Sequence, residues 1–441
     1  MQHADRSHWH RSNLNRTVND FPERLIALDA TGFCSTIHNG LNRYTGETIA
    51  ALANLDQLRI LSGDRTLCQQ FGDRSDWINL QHIHQNNLRG NLSRLLWHQL
   101  ALPRLLHERR SSVKASSDSR SGRGSGLKSG LKSGLKLAFK PSFFHSLHPQ
   151  SPAPLFYSPV PEGMLRPWCP QIITVHDLLP LKFPEVYPRV KYYFRWILPQ
   201  LLRASQTIVV SSENTRRDLQ HYWPDLRTPS VVLPIPYRTD QFYPAAPECP
   251  SGSKLSITPT IAALTPYLLC VGETRPYKNI RRTIEAFARV IATGDRPTLT
   301  LAIVGTLNRL DTDIVDLPSQ LGIADRVQFL GRVSDGELAE LYRGAAAFLF
   351  PSLYEGFGLP PLEAMACGCP TIVARASSLP EVCGTAAHYV DPLSVEDIAA
   401  GIVQVTGDRD YGDRLRHAGL EQVKQFQPEQ FRQRLRAIIG L

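Results

Sequence analysis

The chain runs twice through the same alternation of short apolar segments and amphipathic helical ones, and no other feature constrains its fold as strongly. The first series opens with RLIALDA, residues 24–30, and continues with strands expected over 56–63, 154–159, 171–177, 206–212 and 230–235. Runs this short and continuously apolar suit strands buried on both faces, and helices between them imply a parallel sheet. A loop over 31–44 and an apolar-periodic helix over 45–55 follow the first strand, the opening of a doubly wound domain. After a segment rich in Pro, Ser and Thr, 245–266, the pattern restarts with strands over 267–273, 300–306, 326–332, 345–352 and 369–374. Helices are expected over 281–291, 335–345 and 362–368, and 428–441 carries Phe431, Leu435, Ile438 and Ile439 on one side of a last one. The expected organisation is therefore a tail 1–23, a first domain 24–244, a linker 245–266, a second domain 267–425 and a C-terminal helix within 426–441. A length of 441 residues suits two domains of roughly 200 residues each.

A composition of 42% hydrophobic and 20% charged residues is that of a globular protein. No apolar run approaches the roughly 20 residues that span a bilayer, and the polar start MQHADRSHWHRSNLNRTVND offers no secretory signal, so a cytoplasmic location is expected. Cys367 and Cys369 are the one closely spaced pair among eight cysteines, with no second pair to complete a zinc site. The net charge of +9 is concentrated between 111 and 154, where Lys114, Arg120, Arg123, Lys128, Lys132, Lys136 and Lys140 face a single acid, Asp118. That stretch repeats GLKS and lacks core-forming residues. Its Gly122, Gly124 and Gly126 follow no strand and open no helix, so it reads as a flexible basic insert and not a phosphate loop.

Ligands of open α/β sheets lie beyond the carboxyl ends of the strands. There, after AAAFLFPS, stand Leu353, Tyr354, Glu355, Gly356, Phe357, Gly358 and Leu359, then Pro360, Pro361 and a helix that Gly368 can cap. Glycines let backbone amides approach a ligand, and the positive end of a helix attracts phosphate oxygens. Glu355 and Glu363, the latter expected in the helix's first turn, could hydrogen-bond sugar or ribose hydroxyls. Two glutamates at that spacing arise by chance about once in such a chain. The weight lies in the conjunction of strand, Gly-Phe-Gly loop and Pro-Pro start. In VGETRPYKN, Arg275 and Lys278 follow another strand and could neutralise a diphosphate, or could belong to an ordinary solvated basic loop. His176, in TVHD at a third strand end, could be structural, and Asp177 could cap the following turn.

EGFGLPPLEAMACGCPTIV, with Glu355 and Glu363 in place, resembles the signature of glycosyltransferase family four, retaining enzymes of the GT-B fold that use nucleotide-activated sugars. The resemblance extends over about 24–110 and 155–440. It implies two Rossmann-like domains facing across a cleft, with a C-terminal helix able to cross back to the first. It also implies that Glu355 contacts the donor sugar, Glu363 the ribose, and the amides of Gly356, Phe357, Gly358 and Leu359 the sugar and diphosphate. Arg275 and Lys278 then resemble a phosphate clamp, and Gly331, closing Phe329-Leu330-Gly331, a base-binding edge. Asn39-Gly40 in HNGLNRY resembles the family's glycine-rich phosphate and acceptor loop, and His176 its histidine near the transferred sugar.

The implied activity is transfer of a hexose, mannose by overall pattern, from GDP-mannose or else a UDP-sugar to a glycan or lipid-linked acceptor. No cofactor or metal is expected. Asp311, Asp313, Asp408 and Asp410 form D-x-D strings that follow no site strand and read as surface carboxylates. Three departures stand out: the 111–154 insert, a hinge segment VVLPIPYRTD without the usual glycine, and Gln427-Pro428 where an aromatic commonly precedes the last helix. Two other classes stay open, a glycoside hydrolase built on the glutamate pair and a non-enzymatic binder of anionic surfaces or nucleic acid through the insert. No nucleic-acid partner is expected under the transferase reading. In PRVKYYFRWILPQLL, Val190, Phe194, Ile197 and Leu201 form a core stripe. Lys191, Tyr192, Arg195 and Trp196 face elsewhere, either as ordinary solvated residues or as a peripheral contact with anionic lipid at the inner membrane face.

Overall fold

The computed structural model describes residues 24–31, 33, 40–77, 96–103, 153–245, 266–294, 296, 298–307 and 312–441. The tail 1–23, Asn39, Asp311 and nearly all of the basic insert and linker lie outside them. Seven strands form the first sheet: β1 (Ile26–Ala30), β2 (Leu58–Ser62), β3 (Ser75–Trp77), β4 (Leu155–Ser158), β5 (Gln171–Val175), β6 (Thr207–Val210) and β7 (Ser230–Val232). Six form the second: β8 (Tyr267–Val271), β9 (Thr300–Val304), β10 (Val327–Gly331), β11 (Ala347–Phe350), β12 (Thr371–Ala374) and β13 (His388–Val390). Their orders are β3-β2-β1-β4-β5-β6-β7 and β10-β9-β8-β11-β12-β13, and every pair is parallel. In each sheet the chain winds outward in both directions from a central pair, β1 with β4 and β8 with β11. The loops leaving such a switch point diverge and open a crevice.

The central strands β1, β4, β5, β11 and β12 are buried along their whole length, the physical reason their sequences show no alternation. The first helix, α1 (Gly40–Leu52), begins earlier than expected. Asn42 and Tyr44 already point inward, so the turn read from the sequence as loop is helical. Residues 190–203 are helical with a wider π turn over Tyr193–Ile197. Pro199 has no N–H to return to Arg195, and the wider turn accommodates it. Two helices that the apolar pattern did not reveal, Val395–Gly407 and Arg409–Gln422, are announced instead by their caps, Ser394 and Asp408. Asp408 therefore has a local task, accepting from the Tyr411 amide at 2.9 Å, and Asp313 pairs with Arg281. Cys169, Cys270, Cys367, Cys369 and Cys383 are buried free thiols. Among the described residues no helix is long and apolar enough to cross a membrane.

The C-terminal helix, Pro428–Ile439, does cross back to the first domain. The Phe431 ring meets Tyr44 edge-on at 5.5 Å, and Arg436 donates to the Ala51 carbonyl at 3.3 Å. Tyr44, Phe357, Phe426 and Phe431 belong to one apolar cluster continuous between the domains. Gln427 donates to the Tyr237 hydroxyl at 3.0 Å, tying the glycine-free hinge segment to the C-terminal strap. The aromatic looked for at Gln427-Pro428 stands one residue earlier: Phe426 is buried, with its ring 5.8 Å from that of Phe357.

Candidate active site

Strand β11 delivers its loop to the centre of the second sheet's carboxyl edge, directly beside the loop that leaves β8. Asn279 locks the two together. Its backbone is left-handed (φ 60°), and its amide donates to the carbonyls of Pro351 at 2.9 Å and Pro392 at 2.7 Å. Gly305, at φ 147°, lets the β9 turn press against the same place, since a Cβ there would stand 2.0 Å from the Gly272 carbonyl. On this platform Lys278 Nζ donates to Glu355 Oε1 at 2.7 Å, and Ser352 Oγ lies 2.6 Å from the same oxygen. The Lys278 ammonium also sits 5.0 Å from the Phe350 ring centre. Glu355 is 9% exposed, a buried charge with a cation and a hydroxyl in contact, as its burial demands. Arg275 stands farther out, 34% exposed at its side chain, and pairs with Glu273 at 3.1 Å.

The loop's glycines have distinct tasks. Gly356 is one of the contact points of the two domains: a Cβ on it would fall 2.3 Å from the His176 carbonyl and 2.7 Å from Asp177 Cβ. Its own carbonyl accepts from Ser212 Oγ at 2.6 Å, at the start of helix α2 (Glu213–Tyr222) of the first domain. Gly358, at φ 119°, is the N-cap of the helix Leu359–Ala366. Phe357 turns away to pack on Phe426 and is buried. Because that helix begins at Leu359, Glu363 lies in its second turn and not its first, 3% exposed. Too deep to serve the free amides of the first turn, Glu363 instead meets Tyr342, whose hydroxyl donates to Oε2 at 3.4 Å. Its other oxygen pairs with Arg43 of α1. Gly40 opens α1 opposite Leu359, and a Cβ there would be 3.7 Å from Leu359 Cδ1. Gly331 ends β10 at φ 68°, and its carbonyl accepts from the Gly305 amide at 2.9 Å.

His176 faces this loop from the end of β5. Its Nε2 donates to the Pro159 carbonyl at 2.8 Å, the Tyr44 ring stands edge-on at 4.6 Å, and Nδ1 is enclosed without a partner. Burial brings its pKa down to about 4, so the ring is neutral near pH 7 and Nδ1 is a bare acceptor. Asp177 is pushed up to about 6, first by burial and then by Glu355 nearby, while the Leu179 amide bonded to it at 3.0 Å opposes the rise. The structure thus brings Glu355, Lys278, Gly356 and His176 together, with Arg275 at the rim. Sequence reasoning missed Arg43, Tyr342, Ser212 and Asn279. Asn279 carried a local signal, as a residue tolerant of left-handed backbone before a helix, and Ser212 another, as a helix-capping serine.

The comparisons with known proteins bear on the family and the fold. Residues 259–422 match the family described as glycosyl transferases group 1. The chain carries a group 1 glycosyl transferase domain. It is 31% identical over 257 residues to O-antigen chain mannosyltransferase B of Escherichia coli, covering 58% of this chain and 66% of that one. With O-antigen chain mannosyltransferase RfbU of Salmonella typhimurium it shares 30% identity over 223 residues, 50% of this chain and 57% of the relative. The match thus spans just under two thirds of the first relative and less of the second. Among solved structures, sucrose-phosphate synthase from Thermosynechococcus elongatus superposes with a TM-score of 0.65 at 18% identity, covering 94% of this chain and 98% of that one. Anabaena HepE in complex with UDP-glucose gives 0.62 at 16% identity, covering 95% and 99%. The fold is GT-B.

Proposed function

We propose that the protein is a retaining, metal-independent glycosyltransferase that moves a hexose, mannose first, from a nucleoside-diphosphate sugar to a glycan or lipid-linked glycan. The observation that carries this reading is the Lys278–Glu355 pair at the switch point of the second sheet, beside Gly356 and facing the neutral His176 across the domain contact. Glu355 would hold hydroxyls of the donor sugar, and Lys278 with Arg275 would take up charge on the leaving diphosphate. Phosphate oxygens would meet the Gly358 and Leu359 amides at the start of the helix Leu359–Ala366, since Pro360 and Pro361 carry no N–H. Gly331 would border the base, and Asn39 with Gly40 the phosphates and acceptor. The bond from C1 to the diphosphate oxygen breaks as the acceptor oxygen bonds C1 on the same face, and the acceptor proton goes to the departing diphosphate. His176, uncharged and with a free Nδ1 acceptor, would receive a sugar hydroxyl and deliver no proton at pH 7.

The names of the similar proteins, O-antigen mannosyltransferases, support mannose and a place in polysaccharide synthesis; GDP-mannose ahead of UDP-sugars is the donor proposed with them. A glycoside hydrolase or a basic-surface binder would leave the Arg275 and Lys278 loop without a task. Peripheral contact with an anionic membrane, and with it a location at the cytoplasmic face, is supported by the surface around Trp196. Tyr192 and Trp196 are 58% and 61% exposed beside Lys191 and Arg195. Arg195, Trp196, Gln200, Arg203 and Trp223 line a groove of about 500 Å³ there. The test is a thermal-shift panel of nucleoside diphosphates, followed by transfer assays with the matching sugar nucleotides. Stabilisation by none of the diphosphates would remove the reading. Equal sedimentation with anionic and neutral liposomes would remove the membrane contact alone.

A further inference from the structure

Glu363 is 3% exposed, deep in the second domain, yet the cation it pairs with comes from the first. Arg43 leaves α1, crosses the cleft and forks. Nη1 pairs with Glu363 Oε1, and Nη2 donates to Asp335 Oδ1 at 3.1 Å. Asp335, in the first turn of the helix Asp335–Gly344, is held on its other oxygen by Arg238 Nη1 at 3.1 Å. Phe242 lies under the Arg43 guanidinium, 5.3 Å from its ring centre, and the Arg43 side chain is only 14% exposed.

An arginine across the mouth of a ribose site could act as a plug that the nucleotide expels. The charges argue otherwise. Ribose hydroxyls are neutral, so a ribose replacing Arg43 would leave a buried carboxylate uncompensated, which is far costlier than one lost hydrogen bond. A carboxylate offers about four acceptor positions, and Arg43 and Tyr342 take two. Arg43 and two ribose hydroxyls can therefore share Glu363. We infer that Arg43 is a positioning residue of the nucleotide site, supplied by the acceptor-side domain, which holds the Glu363 carboxylate in place for the ribose hydroxyls. The ribose subsite is then complete only when the domains are closed, and nucleotide binding and closure favour each other. This rests on the proposed placing of the ribose at Glu363.

The experiment is calorimetric titration of the full chain with the nucleoside diphosphate that binds best and with its 2′-deoxy and 3′-deoxy forms. A hydrogen bond to a charged group predicts that the wild type prefers the ribonucleotide by about tenfold to a hundredfold. In Arg43→Ala that preference falls to within about threefold of unity. Arg43→Ala/Glu363→Gln then discriminates no less than Glu363→Gln alone, because the two residues act through one contact. An unchanged preference in Arg43→Ala, or tighter binding of the ribonucleotide, overturns the inference, the second outcome identifying a plug. Should Arg43→Ala not fold, Arg43→Lys keeps the charge and loses the fork. Its preference then falls between those of wild type and Glu363→Gln, and full wild-type preference there overturns the inference equally. A wild type that binds diphosphates without regard to the ribose hydroxyls refutes the role of Arg43 and leaves the proposed function standing. A wild type that binds none refutes both.

Discussion

Glu355 and Glu363 lie in one loop-helix unit, both nearly buried and both paired with a cation, but their partners differ in origin. Lys278 reaches Glu355 from the neighbouring loop of the same domain. Arg43 reaches Glu363 from the other domain. The first pair depends only on the second sheet and the Asn279 lock, so it survives any movement of the domains. The second exists only while they are closed. On the proposed reading, two carboxylates of one type, eight residues apart, would divide the work: one would serve the chemistry of the transferred sugar, the other would register that the cleft has shut.

The largest effect expected from that division is on Glu355. Glu355→Gln should lower kcat by about 10²- to 10³-fold through loss of a charged contact at the reacting sugar. Because the pair is internal to one domain, closure should persist, and an unchanged radius of gyration by small-angle scattering checks it. Gly356→Ala is the converse. Its methyl would fall 2.3 Å from the His176 carbonyl, so the domains must part while Glu355 and Lys278 stay intact. A larger radius of gyration and kcat/KM down by about 10²-fold are expected. A variant as compact as wild type would break the comparison.

The contact also sets a pH dependence. His176, brought from its ordinary 6.5 to about 4, contributes stability that is fully present above pH 6.5 and lost as pH falls through about 4. Asp177, raised from 3.8 to about 6, contributes stability present below pH 3.8 and lost as pH rises through about 6. The two slopes oppose each other between pH 4 and 6. Removing one uncovers the other: urea midpoints of His176→Phe should fall as pH rises over that window, and those of Asp177→Asn should rise. Parallel profiles in the two variants would refute the assignment. The smallest effect belongs to Ser212→Ala, which loses the α2 cap to the Thr215 amide and the bond to Gly356. It should cost about 1–2 kcal/mol, seen as an earlier thermal transition with kcat within a few-fold of wild type.

Much of the fold was legible because its determinants are local. Strands buried on both faces leave continuous apolar runs, and β1, β4, β5, β8, β9, β11 and β12 stand where those runs predict them. Helix boundaries were less legible. Gly40–Tyr44 is helical because Tyr44 packs on His176 and Phe431, residues far along the chain, and Arg409–Gln422 is too polar for its apolar stripe to stand out. The Gly-Phe-Gly loop, the Pro-Pro helix start and the cations after β8 were likewise readable as a ligand-holding unit, since exposed amides and helix ends follow from residue type alone.

The sequence by itself therefore determined two parallel sheets and the edge of the second one where an anionic sugar donor would bind. Which cation balances which carboxylate was decided only by tertiary structure, because charges pair through space: Arg43 lies 320 residues before Glu363, with no spacing to betray it. The same holds for Gly356. Its sequence context suggested an amide open to a ligand, and the folded chain shows why a side chain is excluded there: the backbone of the other domain occupies the space where a Cβ would be.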